Sequence, residues 1–210
     1  MTNQKAVAEK LLQTGAVRLS PGAPFTWASG WKSPIYCDNR KVLSFPYVRD
    51  FIKSEMCNLL FDRFADAELL AGVATAGIAW GAMVADQLKL PFVYVRAKPK
   101  EHGLGNQIEG HFEKGWKTVV IEDLISTGKS SLQAVDALQA AGLEVSSVVS
   151  IFNYNFDQAA SAFLEAGTSL ESLTDYNTLI QLAVEKRTVS QQQEAILLKW
   201  RQDPSGWTGL

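Results

Sequence analysis

Residues 119–131 read V-V-I-E-D-L-I-S-T-G-K-S-S, an apolar run followed by two acidic residues and a polar turn. The β-branched run over residues 117–121 predicts a buried strand that ends at two carboxylates, Glu122 and Asp123. A short turn with hydroxyl groups and glycine follows and opens a helix that the spacing predicts over residues 129–141. Open α/β sheets bind ligands at such carboxyl ends of strands. The sequence therefore predicts a binding site where this strand meets its helix.

The turn after the two carboxylates carries groups that can hold a phosphate. Its backbone N–H groups and hydroxyls can point at one anion, and the helix N-terminus adds a favourable dipole. The residues concerned are Ser126, Thr127, Gly128, Lys129 and Ser130. A P-loop is excluded because its pattern needs glycine five residues before Gly128, where Asp123 stands. An ordinary turn in which Ser and Thr cap the helix is the alternative.

Glu122 and Asp123 suit a different group of the ligand. Two carboxylates would repel a phosphate, but they can accept hydrogen bonds from a vicinal diol. Their charge would also stabilise a ribosyl centre that becomes cationic during a reaction.

The segments on either side alternate between two hydrophobic patterns. Short apolar runs predict buried strands, and longer runs with helical spacing predict helices between them. The predicted strands cover residues 69–73, 92–95 and 145–152, and the predicted helices cover residues 5–13, 46–64, 76–88, 159–165, 176–185 and 191–201. This alternation predicts an α/β fold with a mostly parallel central sheet flanked by helices.

We expect the 210 residues to form a single domain in three parts. Residues 1–45, with short extended pieces broken at Gly30 and Pro34, form an N-terminal flap. Residues 46–155 form the α/β core, and residues 156–210 form C-terminal helices.

Composition excludes several classes of function. Lys and Arg number 20 against 22 Asp and Glu, so no global positive field would attract nucleic acid or a membrane surface. The uncharged stretch from residue 69 to 85 is shorter than the roughly 20 residues that span a membrane. Cys37 and Cys57 cannot form a disulfide framework, and the first residues lack the apolar stretch of a signal peptide. We therefore expect a cytoplasmic protein.

Residues 96–110 form a polar, glycine-bearing segment that predicts a mobile loop. Four potentially cationic residues stand at alternate positions, namely Arg96, Lys98, Lys100 and His102. Closing over an anionic leaving group, they would stabilise its charge and exclude water, whereas a solvated charged loop is the alternative. His102 and His111 form no H-x-x-x-H pair and no cysteine accompanies them, so we predict no zinc site.

The strand, the acidic pair and the turn resemble the phosphoribosyl diphosphate signature of type I phosphoribosyltransferases. The resemblance implies that family's fold, with a small hood from the N- and C-terminal segments over the carboxyl edge of the sheet. It also implies that Glu122 and Asp123 contact the ribose hydroxyls. The turn residues Ser126, Thr127, Gly128, Lys129 and Ser130 would wrap the 5′-phosphate of the donor, and Leu124 and Ile125 belong to the same donor-binding segment.

Two further segments resemble orotate phosphoribosyltransferases. R-A-K-P-K-E-H-G-L-G, from residue 96, is similar to their flexible loop, with Ala97 where a second lysine is common. Either the contact of that lysine is dispensable here or Lys98 substitutes for it. In F-T-W-A-S-G-W-K-S-P-I-Y-C-D-N-R, from residue 25, the S-G-x-x-S-P pattern is similar to their N-terminal signature, although an aromatic hairpin completing a core is the alternative. Orotate is planar and carries a carboxylate, so we expect backbone donors near Ser29 and Gly30 and the cationic Lys32 to recognise it. Ser126 matches the family's turn hydroxyl near the base, and the resemblance implies an orotate contact there.

The resemblance also implies an activity and an assembly. We expect transfer of the phosphoribosyl group from 5-phosphoribosyl 1-diphosphate to orotate, with Mg²⁺ held mainly through the substrate phosphates. Arg96, Lys100 and His102 would bind the diphosphate, and Lys100, His102 and Asp123 would serve catalysis. A homodimer is expected, with loop 96–110 acting across the interface. An enzyme for another base and a nucleotide-sensing regulator without catalysis are the rival hypotheses.

Overall fold

The computed structural model describes residues 3–27, 29–98 and 107–209. The helices are α1 (Gln4–Gln13), α2 (Pro46–Arg63), α3 (Ala76–Leu88), α4 (Lys129–Ala140), α5 (Asp157–Glu165), α6 (Tyr176–Glu185) and α7 (Gln191–Gln202), with a 3₁₀ helix at Asn39–Ser44. The strands are β1 (Val17–Leu19), β2 (Phe25–Thr26), β3 (Lys32–Ser33), β4 (Ile35–Cys37), β5 (Leu69–Val73), β6 (Phe92–Val95), β7 (Ile108–Glu109), β8 (Lys117–Ile125), β9 (Glu144–Asn153) and β10 (Ser169–Asp175).

Six strands form the central sheet in the order β10-β9-β8-β5-β6-β7. Every neighbouring pair is parallel except β6 and β7, which pair antiparallel at one edge. The predicted α/β fold with a mostly parallel sheet is therefore confirmed. The flap adds two short antiparallel ladders, one between β1 and β4 and one between β2 and β3.

Strand β8 lies inside the sheet, between β9 and β5, and apolar side chains cover both of its faces. Val119 and Ile121 join the core cluster that includes α1, α2, α6 and α7, whereas Val120 joins a second cluster with α4 and α5. Successive side chains of a strand point to opposite faces, so a continuous β-branched run is buried on both sides. The strand carries Glu122 and Asp123 to the carboxyl edge of the sheet from within this core.

Sheet packing depends on close approach of α3. An added Cβ at Gly77 would lie 2.4 Å from the carbonyl oxygen of Ile121, and one at Gly81 would lie 2.5 Å from the ring of Phe92. Glycine at these positions lets α3 lie directly on β8 and β6. The uncharged stretch over residues 69–85 consists of β5 and most of α3. Among the described residues, we find no helix with the length and hydropathy of a membrane span.

Several elements differ from the sequence prediction. Strand β1 was not predicted, and β8 continues to Ile125, beyond the predicted end at residue 121, so that Glu122 and Asp123 lie within the strand. Strand β10 lies in the part that we predicted as helices only; its apolar residues Leu170 and Leu173 are three apart, and its backbone bonds to β9 make it a strand. The predicted loop 96–110 ends in β7, which pairs with β6, while residues 99–106 lie outside the described residues. The 3₁₀ helix after β4 was not predicted.

Candidate active site

The turn after β8 brings its polar residues around one cavity of about 280 Å³. The lining residues are Leu124, Ser126, Thr127, Gly128, Lys129, Ser130, Ser131 and Gln133. The predicted turn residues are thus brought together, with the exception of Ile125, whose side chain is buried in the core.

The alternative role for this turn, hydroxyl capping of the helix, does not match the geometry. Gly128 is the N-cap of α4, in the left-handed region at φ +78°, and no side chain caps the helix there. The first N–H groups of α4 are therefore left for another acceptor. Gly128 also lies against the ring of Phe163, because an added Cβ would stand 2.7 Å from Phe163 Cε2. Both conformation and space require glycine at this position.

Glu122 is buried, with 5% of its surface exposed. Its Oε1 accepts a hydrogen bond from the backbone N–H of Asp123 at 2.9 Å, and its Oε2 accepts one from Ser131 Oγ at 3.2 Å. Burial raises its pKa well above the usual range, and the neighbouring Asp123 charge adds to the rise. The structure thus places Glu122 between β8 and α4, where its protonated form is favoured.

Asp123 has a different environment, formed by the flap and the 3₁₀ helix. Burial raises the pKa of its carboxyl, while the hydrogen bond with Glu122 and the Arg40 charge oppose part of that rise. Arg40 Nε donates to Asp38 Oδ1 at 2.7 Å, so a charge pair stands beside Asp123. Of the two predicted carboxylates, Asp123 is the more accessible.

Asn39 links the flap to the end of β8, and the sequence did not single it out. Its side chain is fully buried, and its Nδ2 donates to the carbonyl oxygen of Asp123 at 2.7 Å. Its Oδ1 accepts from Cys37 Sγ at 3.4 Å. Burial raises the pKa of the Cys37 thiol well above its usual value, so the thiol stays protonated as this donor requires.

A second cavity, of about 580 Å³, lies between the flap and the same turn. Its lining residues are Thr26, Trp27, Ser29, Trp31, Tyr36, Cys37, Leu124, Ser126, Thr127 and Tyr154. Trp27 and Trp31 stack with ring centroids 6.2 Å apart and planes 19° apart. The cavity has flat aromatic surfaces and a hydroxyl-bearing rim, which suits a planar polar ligand.

The four residues predicted for orotate are only partly brought together. Ser29, from the flap, and Ser126, from the β8–α4 turn, both line the second cavity. Gly30 and Lys32 do not line it: Gly30 forms the exposed turn between β2 and β3, and Lys32 Nζ donates to Thr26 Oγ1 at 2.8 Å on the flap surface. Trp27, Trp31 and Tyr154 line the cavity without having been predicted as site residues.

Arg96 lies at the end of β6, and its guanidinium forms an ion pair with Glu109 of β7 at 3.4 Å. Its backbone N–H donates to the Gln107 carbonyl at 2.9 Å. Lys100 and His102, the other two predicted diphosphate ligands, lie outside the described residues.

Comparison with known proteins agrees with this arrangement. Residues 58–174 match the family model for the phosphoribosyl transferase domain. An orotate phosphoribosyltransferase of Phocaeicola vulgatus is 50% identical over 206 residues, covering 98% of this chain and 97% of the relative. One from Listeria innocua is 52% identical over 207 residues, covering 99% of each chain.

A solved structure gives the same result for the fold. Orotate phosphoribosyltransferase from Aeropyrum pernix superposes with a TM-score of 0.72 at 27% identity, covering 83% of this chain and 97% of that chain. The match therefore covers most of this chain and nearly all of the solved enzyme. With half of its residues identical to those of near full-length relatives, the chain belongs to the orotate phosphoribosyltransferase family of type I phosphoribosyltransferases.

Proposed function

We propose that this chain transfers the 5-phosphoribosyl group of 5-phosphoribosyl 1-diphosphate to orotate, giving orotidine 5′-phosphate and pyrophosphate. One observation carries the proposal: Leu124, Ser126 and Thr127 line both cavities. A phosphate at the α4 N-terminus and a planar base against Trp27 would therefore lie on the two sides of one short turn. A ribose joining them would pass the end of β8, beside Asp123.

In this reaction, orotate N1 attacks C1 of the ribose, the C1–N1 bond forms, and the bond from C1 to the diphosphate oxygen breaks. The proton of N1 leaves with the departing pyrophosphate. The turn N–H groups hold the 5′-phosphate, and Ser126 and Ser29 orient the base. Asp123 accepts hydrogen bonds from ribose hydroxyls, and its charge stabilises the oxocarbenium-like transition state. A direct contact between Glu122 and ribose would require its carboxylate to leave Ser131.

Mg²⁺ fits this site as an ion held through the substrate. Among residues 3–27, 29–98 and 107–209, no group of three or more His, Cys, Asp or Glu side chains could hold a metal. Mg²⁺ commonly binds phosphate oxygens with only one or two protein carboxylates, and Asp123 is the accessible carboxylate here. Bound to the diphosphate, the ion would supply charge neutralisation for the leaving group.

The remaining expectations extend the same proposal. Arg96, Lys100 and His102 would close over the diphosphate, from the loop of the neighbouring subunit in a homodimer. Closure would require Arg96 to exchange its Glu109 partner for the diphosphate, since the guanidinium now lies on that carboxylate. A cytoplasmic location is supported by the two free thiols, Cys37 and Cys57, which suit a reducing compartment.

A panel of bases tests which base the enzyme uses. Orotate, uracil, hypoxanthine and adenine are each incubated with 5-phosphoribosyl 1-diphosphate and Mg²⁺, and nucleotide formation is followed by chromatography. We expect a kcat/KM for orotate at least about 100-fold above that for the other bases, because a polar rim aligned to one base leaves unpaired groups with another. A higher value for any other base would overturn the assignment of orotate, and no product with any base would favour the non-catalytic regulator.

A further inference from the structure

We propose that the C-terminal helix α7 positions the aromatic wall of the base cavity, with Trp200 as the positioning residue. The inference rests on the proposed function, since the cavity formed by the flap and the β8–α4 turn is taken as the base site. Trp200 does not line this cavity, so it would act through the residues that do.

A hydrogen bond joins α7 to the flap. Trp200 is fully buried, and its Nε1 donates to the carbonyl oxygen of Lys32 at 3.0 Å. Lys32 belongs to β3, which pairs with β2 immediately before Trp27. A buried indole N–H without an acceptor is costly, so the flap carbonyl and the indole hold each other in place.

Ring contacts extend this link to the cavity wall. The ring of Trp200 meets Trp27 edge to face, with centroids 5.6 Å apart and planes at 75°. It meets Tyr154 in the same way, at 5.9 Å and 70°. Trp27 and Tyr154 both line the base cavity, and each is thus supported from behind by one side chain of α7. Edge-to-face packing fixes the tilt of such rings as well as their distance.

Helix α7 can act as a support because the core fixes its own position. Tyr176 Oη, at the start of α6, donates to the carbonyl oxygen of Leu197 at 2.9 Å. Arg201 hydrogen-bonds the carbonyl oxygen of Asn155, which follows β9. A capping box of Ser190 and Gln193 defines the first turn of the helix. The flap is therefore held against α6 and the β9 end through α7.

The phosphate cavity has no such dependence on α7. Its lining residues belong to β8, α4 and the turn between them, including the three that it shares with the base cavity. The partners of Trp200 lie elsewhere, at Trp27, Lys32, Tyr154, Phe156 and Tyr176. A defect at Trp200 should therefore change the KM for orotate and leave the KM for 5-phosphoribosyl 1-diphosphate nearly unaltered. A purely structural role would change both, or would change only thermal stability.

Trp200→Phe tests the inference because it keeps an aromatic ring and removes the N–H donor. We expect the KM for orotate to rise about fivefold, the change that corresponds to a hydrogen bond worth about 1 kcal/mol, with the other KM within about twofold. Trp80→Phe is the matched control, since Trp80 is also fully buried but its Nε1 has no acceptor among the described residues. This control should leave the ratio of the two KM values unchanged.

Tyr176→Phe provides a second, milder variant, because it removes only the hydroxyl that holds α7. It should raise the KM for orotate in the same direction by about twofold to fivefold. Hydrogen exchange should be faster over residues 31–36 in both variants and unchanged over residues 119–131.

If neither variant changes the KM for orotate, or if both KM values rise together, α7 does not position the base site. A wild-type enzyme that does not use orotate would instead refute the proposed function, so the two failures are distinguishable. A Trp200→Phe protein that does not fold leaves Tyr176→Phe to decide, by the same ratio of KM values.

Discussion

At the scale of single residues, Glu122 and Asp123 are neighbours in sequence with separate surroundings. Glu122 accepts hydrogen bonds from Ser131 and from a backbone N–H, whereas Asp123 lies beside the Arg40 and Asp38 pair. Burial raises the pKa of both carboxyls, and two acids this close resist double ionisation. The two carboxyl groups can therefore supply one negative charge to a ribosyl cation, and the free enzyme does not have to hold two negative charges side by side.

Asp123→Asn should lower kcat/KM for 5-phosphoribosyl 1-diphosphate by about 100-fold, because a near-isosteric amide removes the charge that stabilises the transition state. Thermal stability near neutral pH should not fall, since the carboxylate is desolvated in the folded protein. Steady-state kinetics and the melting temperature are measured together, with Asp136→Asn, at an exposed position of α4, as the control. A lower melting temperature with unchanged activity per folded molecule would assign Asp123 to structure instead.

Glu122→Gln should stabilise the protein at high pH. The pKa of Glu122 is raised in the folded state, so its contribution to stability is present below its ordinary value and is lost as pH rises through the raised value. Gln can accept the hydrogen bond from the Asp123 N–H through Oε1 and donate one from Nε2 to Ser131 Oγ, and it carries no charge. The melting temperature of the variant should exceed that of wild type at about pH 8, and the difference should disappear at about pH 4. A variant that is less stable than wild type at the higher pH contradicts this account of Glu122.

Site residues that form a contiguous motif could be predicted from the sequence, whereas residues that reach the site only through tertiary contacts could not. Glu122, Asp123 and the turn follow one another along the chain, so their clustering at a strand end could be predicted. Asn39 lies 84 positions from Asp123 and reaches it only because the flap folds over β8. Lys32 was expected in the base site from its charge, yet its amine bonds Thr26 on the flap surface.

At the scale of elements, the turn into α4 depends on one glycine. Gly128→Ala should destabilise the protein in two ways: a left-handed φ of +78° costs alanine about 1 kcal/mol, and contact with Phe163 adds about 1–3 kcal/mol. Gly115→Ala is the matched control, because Gly115 has φ +84° but no atom within 4 Å of an added Cβ. Urea denaturation compares the two free energies of unfolding. Equal losses would show that the Phe163 contact contributes nothing.

Element predictions succeeded where hydrophobic periodicity was continuous. The bounds of β5, α3 and β6 match the predicted ranges, since buried β-branched runs and amphipathic spacing leave few alternatives. Strand β10 was missed because it lies at the sheet edge with a largely polar sequence, so its pairing with β9 decides its structure. Strand β7 was missed for a similar reason, being a two-residue edge strand within a polar segment.

At the scale of the whole molecule, the expected homodimer predicts that loops act across the interface. Lys100→Ala and Asp123→Asn variants are mixed in equal amounts and allowed to exchange subunits. Random exchange makes half of the dimers mixed, and each mixed dimer would have one site with both defects and one site with neither. Activity should therefore recover to about a quarter of wild type if the sites act independently. Mass spectrometry confirms the exchange. If exchange is complete and activity does not recover, each loop serves its own subunit.

If one site joins orotate to the phosphoribosyl group as pyrophosphate leaves, the two products must form together. Pyrophosphate and orotidine 5′-phosphate are measured simultaneously, with 5-phosphoribosyl 1-diphosphate and Mg²⁺ present. We expect pyrophosphate to appear only when orotate is added, in a 1:1 ratio to the nucleotide, since one C1–O bond breaks for each C1–N1 bond that forms. Release of pyrophosphate at the same rate without orotate would contradict this reaction, as would the absence of nucleotide after orotate has been added.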